Sequence, residues 1–149
     1  MKLQGAVILI GSLYWEDPDN CIQLKDPKIL ASKRKNWRDE KLDMNNRDLI
    51  SLPIRYGRKS TSRYCTYTMT FSNSVEKNGH GYVVPYFEKI NVKDNFNQLY
   101  YQAIELAKVE GICKSGENTL VKKWGSVGLM LSKRFIENLQ DRPSDLLEF

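Results

Sequence analysis

The sequence has little of what crosslinks or metal sites are made from: one histidine and three cysteines in 149 residues. Cys21, Cys65 and Cys113 are odd in number, far apart and without a C-x-x-C pair, so neither a disulfide framework nor a zinc site is indicated. Reduced thiols and a cytoplasmic setting are the expectation. His80 stands between Gly79 and Gly81 with no nucleophile beside it, so no local histidine-based catalytic pair is indicated. Long apolar runs are also lacking. No stretch approaches the roughly 20 residues of a membrane span. The run Ala6, Val7, Ile8, Leu9, Ile10 is shorter than the roughly 7–15 residues of a signal-peptide core. Glu16, Asp17 and Asp19 crowd around Pro18 without the spacing of a cation loop, and a solvated turn is expected there. Neither a metal nor a cofactor is expected.

Hydrophobic residues make up 41% and charged residues 28%, a globular balance, and a single domain over 1–149 is expected. The net charge of +5 suits an anionic ligand. Tyr64, Tyr67 and Tyr82 offer stacking surfaces for a nucleic acid, but acids scattered among the bases argue against that partner. Oligomeric state leaves no trace in the pattern.

The apolar run stops at Gly11-Ser12-Leu13-Tyr14, which reads as a buried strand entering a tight turn. Successive backbone N–H groups in such a turn make a concavity suited to carboxylate or phosphate. Residues 28–42 predict a short basic helix with Trp37 turned inward, and Lys33 to Lys35 read as a wet face. Residues 48–57 alternate, with Pro53 marking an edge or a bulge. A polar basic connection follows over 58–63, and Arg55, Arg58 and Arg63 around it could clamp a carboxylate or phosphate, because the planar guanidinium matches either group.

Residues 64–71 alternate strictly, and the face of Cys65, Tyr67, Met69 and Phe71 is expected in the core. Another strand is predicted over 82–87. Residues 94–110 predict the one long helix, capped by Asp94 or Asn95 and stopped by Gly111. Its apolar stripe collects Phe96, Leu99, Tyr100, Ala103, Leu106 and Ala107, and Glu110 falls inside that stripe. Burial and the helix dipole would both disfavour its charge, making it a candidate general acid–base. Residues 127–131 predict a short buried strand, and a last short helix is expected over 133–139.

The strand ending in Gly11-Ser12-Leu13 and the helix closing on Val109-Glu110-Gly111 together resemble the γ-glutamylcyclotransferase-like superfamily. That resemblance implies an α+β fold: a small mixed β-barrel or strongly curved sheet with one long and one or two short helices packed outside. It also implies that Gly11, Ser12, Leu13 and Tyr14 grip the γ-glutamyl part of a substrate. Glu110 would then shuttle the proton as the substrate's own amine attacks the side-chain amide. The family's tyrosine before the glycine is Ile10 here, which removes a hydroxyl, and the 55–63 segment has no counterpart in the family pattern. The alternative is a non-catalytic module on the same scaffold, holding an anionic small molecule with the turn and Arg55, Arg58 and Arg63.

Overall fold

Strand β1 (Lys2–Leu9) carries the apolar run, and because successive side chains point to opposite faces the structure buries only one side of it, Val7 and Leu9, and leaves Ile8 exposed where a fully buried strand was expected. The computed structural model describes residues 2–11, 14, 25–60, 66–91, 97–113, 117–119, 127–134 and 137. Helix α1 (Lys25–Lys41) follows, then a 3-10 turn (Met44–Asn46), strands β2 (Asp48–Leu52), β3 (Ile54–Ser60), β4 (Thr66–Phe71) and β5 (Gly79–Asn91), and helix α2 (Asn97–Val109). The fold is α+β.

Strand β5 is the spine. It pairs antiparallel with β1 along one edge and with β2 along the other, giving the order β1-β5-β2. Pro85 lies within this central strand and has no N–H to give the ladder. The β1 register slips opposite it, between Gln4 and Ala6, and the Gln4 side-chain amide donates to the Tyr86 carbonyl at 2.5 Å. On the other edge, the Asp43 N–H donates to the Pro85 carbonyl at 2.8 Å, so the chain leaving α1 takes over where β2 is absent.

The core forms where α1 covers this sheet. Val7, Leu9, Trp37, Leu42, Val84 and Tyr86 are buried together, with Tyr14, Met44, Tyr82, Leu106 and Val109 packed around them. Ala31, Arg34, Trp37 and Arg38 share the inward face of α1, at the spacing that places residues on one helical stripe. The Trp37 ring meets Tyr86 edge-on, centroids 6.0 Å apart. Trp37 is turned inward as expected, but the helix runs for 17 residues rather than a short stretch. Its lysines and arginines are good helix formers, and both arginines lie on the packed side.

The expected barrel is not found: among the described residues the strands do not close. β1 and β2 are opposite edges of one sheet, while β3 and β4 pair only with each other as a separate two-stranded ribbon. Pro53 breaks the alternation of 48–57 into two strands, and its carbonyl accepts instead from the Ser72 N–H at 2.8 Å. Ile54 is the ribbon's buried root, packed over Gly79. Beyond that root the expected core face of the ribbon is not covered, and Tyr67 and Phe71 are exposed. Tyr100 is likewise exposed rather than part of the α2 stripe, and 127–131 is not a strand, with Leu129 and Met130 exposed. Among the described residues no helix is long and apolar enough to cross a membrane.

Candidate functional site

Glu110 owes its position to the way α2 ends. Gly111 takes the left-handed conformation at φ 71°, which costs a residue with a Cβ but not glycine. The Gly111 N–H then donates to the Lys108 carbonyl at 3.1 Å, and the Ile112 N–H donates to the Ala107 carbonyl at 2.9 Å. This pair of bonds is a Schellman cap, with Glu110 as the last half-helical residue and Ile112 buried beyond it.

The surroundings of Glu110 differ from the apolar pocket that the stripe predicted. Its side chain is 30% exposed, and Oε2 lies 3.4 Å from Arg34 Nη2, whose own side chain is only 3% exposed. The same Nη2 donates to the Glu110 backbone carbonyl at 3.3 Å. A cation therefore sits at the negative end of the helix, where the last carbonyls are left without intrahelical donors. Arg34 is one of two buried charged residues among those described, and the other is Arg38, one turn further along the same face of α1.

Arg38 reaches the other half of the expected site. Its Nη1 donates to the Tyr14 carbonyl at 3.0 Å, and its Nε lies 3.5 Å from Asp39 Oδ1. The Tyr14 N–H, in a residue of helical conformation, in turn donates to the Gly11 carbonyl at 2.8 Å, which ties Tyr14 to the end of β1. Two arginines spaced four residues apart thus join the turn after β1 to the end of α2. Among the described residues, nothing lies within 4 Å of where a side chain would begin at Gly11.

The Tyr14 ring stacks on Tyr82 with centroids 4.6 Å apart and planes 10° from parallel, and the Arg47 guanidinium lies 5.6 Å from the Tyr82 centroid. Tyr14 is thereby anchored to the start of β5 as well as to α1. Of the other expected ligand contacts, Ser12, Leu13 and Arg63 lie outside the described residues. Arg58 is described only as a backbone position of β3, and Arg55 is exposed on the β3–β4 ribbon. It is Arg34 and Arg38 that touch Glu110 and the turn.

Neither arginine was singled out from the sequence, where 33–35 read as a wet face. The signal was there in part: Arg34 and Arg38 continue the Ala31 and Trp37 spacing, whereas Lys33 falls off it and is exposed. Comparison with family models, with curated proteins and with solved structures finds no match.

Proposed function

We propose that the 11–14 turn and Glu110 form one site for a γ-glutamyl amide, on a γ-glutamylcyclotransferase-like scaffold. The observation that carries this reading is the pair of arginines, one turn apart, holding both parts to the same face of α1. In the reaction the substrate's α-amine attacks its own side-chain carbonyl. A C–N bond forms to close the lactam, the original amide C–N bond breaks, and the leaving nitrogen departs as an amine. Glu110 takes the proton released by the attacking amine and returns it to the leaving nitrogen. The turn fixes the amine near the carbonyl, a contribution of proximity rather than of a new reactive group.

A second reading, an anionic-ligand module without turnover, is favoured by the Arg34 contact on Glu110 Oε2 and by Ile10 in the place of the family tyrosine. The two separate in one experiment, a panel of γ-glutamyl amides assayed for released amine with wild type and Glu110→Gln. Turnover that vanishes in Glu110→Gln, with substrate affinity within about threefold of wild type, is the result expected for the enzyme. Binding of the same amides without turnover by wild type assigns the module instead. Neither binding nor turnover overturns both.

A further inference from the structure

The β3–β4 ribbon sorts its side chains sharply. Directly opposed residues of an antiparallel pair share a face, and successive residues alternate. The pairs Ile54 with Phe71, Tyr56 with Met69, and Lys59 with Tyr67 therefore lie on one side, and Arg55 with Thr70 on the other. The bulge between Tyr56 and Arg58 makes this possible, because the extra residue shifts the alternation so that Lys59 joins the aromatic side. Gly57 occupies the bulge, where a Cβ would collide with the Thr70 hydroxyl.

Tyr56, Tyr67 and Phe71 on that aromatic side are 70%, 65% and 56% exposed. With two residues of a strand spanning about 6.6 Å, the rings of β4 reach across about 13 Å, with Tyr56 between them on the neighbouring strand. The charge of the surrounding sequence is of one sign. From 49 to 75 the sequence contains no Asp or Glu, while Arg55, Arg58, Lys59 and Arg63 all fall there, so this segment carries four of the five net positive charges of the chain. The scattering of acids that argues against a polyanion elsewhere does not extend to this segment.

We infer that the aromatic side of the β3–β4 ribbon binds single-stranded nucleic acid, with Tyr56, Tyr67 and Phe71 stacking on bases and Lys59 contacting phosphate. Flat rings accept any base on their faces, and local positive charge follows the backbone of an unpaired strand. Two of the three exposed rings are tyrosines with a polar tip. The inference rests on the ribbon alone and does not depend on the reading of Glu110.

The test is fluorescence anisotropy of the full chain with labelled single-stranded oligonucleotides, about 12 nucleotides long, of DNA and of RNA, in a salt series. Tyr56→Ala and Tyr67→Ala are expected to fold normally because both rings are exposed, which circular dichroism checks. Each should weaken binding by roughly five- to a hundredfold, the range of losing one stacked base. Lys59→Gln should make the slope of log affinity against log salt shallower by about 0.7, the value for one phosphate contact to a single strand. Glu110→Gln should leave this binding unchanged.

No oligonucleotide binding at low salt overturns the inference, as does binding that the tyrosine substitutions leave intact. Two further results overturn it by assigning the face elsewhere. One is tyrosine-dependent flotation with vesicles containing phosphatidylserine in the absence of oligonucleotide binding. The other is a tyrosine-dependent dimer in sedimentation, again without oligonucleotide binding.

Discussion

Arg34→Gln probes how the end of α2 is held, and the structure sets the size of its effect. The pair is asymmetric: the Arg34 side chain is 3% exposed and that of Glu110 is 30% exposed. Removing the guanidinium leaves a carboxylate that water still reaches, so the large penalty of a stranded buried charge does not apply on that side. What is lost includes contact with the Glu110 carbonyl at 3.3 Å and with Oε2 at 3.4 Å, both long for hydrogen bonds, together with packing of the aliphatic stem. A hydrogen bond to a charged group contributes roughly 1.5–3 kcal/mol, and these two fall at or below the lower end, so the expected cost is about 2–3 kcal/mol. Glu110→Ala takes the carboxylate from a cation that is itself buried but leaves it the backbone carbonyl, so the cost falls at the low end for a broken buried pair, about 3 kcal/mol. Because both substitutions lose the same contact, the double variant should be less destabilised than the sum by about 1 kcal/mol. Urea unfolding followed by far-ultraviolet circular dichroism reads all three, with an unchanged m-value showing that the midpoints report stability. Arg34→Gln within 0.5 kcal/mol of wild type, or strict additivity of the pair, would refute the ion pair as the clamp on this helix end.

Two further outcomes follow from the same region and from the core. Gly111→Ala forces a Cβ into the left-handed conformation at φ 71° and should cost about 1 kcal/mol, seen as a melting temperature lower by about 3 °C. An unchanged melting temperature would mean that the cap does not constrain the chain. Burial, with the nearby Glu105 charge adding to it, holds the Tyr86 hydroxyl well above its ordinary value, so the unfolded chain releases this proton first. Its contribution to stability is complete below pH 10 and declines as pH rises beyond that. Urea midpoints between pH 9 and 11 should fall less steeply in Tyr86→Phe than in wild type.

What could be read from the sequence was what local pattern determines. The β1 run, the inward Trp37, the α2 periodicity and the stop at Gly111 depend on neighbours within a few residues, and each stands in the structure close to where it was expected. The alternation of 66–71 was also legible, but a period of two is the same whether a face is covered or not. Tyr67 and Phe71 are exposed, and among the described residues no strand or helix covers them, because Pro53 and the break after β2 detach the ribbon from the main sheet. The helical spacing puts Glu110 in line with Leu106 and Ala107 but says nothing of its pairing, because Arg34 comes from a helix 76 positions earlier in the chain. In the basic run 33–35 the helical spacing of Ala31 and Trp37 favours Arg34 over Lys33 for the packed side, but only the packing of α1 shows that an arginine is buried there. The link from Glu110 through Arg34 and Arg38 to Tyr14 is tertiary, and no spacing in the sequence encodes it.

The central claim is that the turn after β1 and the end of α2 make one site. A nuclear magnetic resonance titration with a γ-glutamyl amide tests it most directly, with backbone amide shifts followed at Gly11, Tyr14, Glu110 and Gly111 and at Tyr67 on the ribbon. The account predicts that the first four move along one isotherm while Tyr67 stays in place. Shifts at only one of the two ends, two different isotherms, or no shift at either would contradict it.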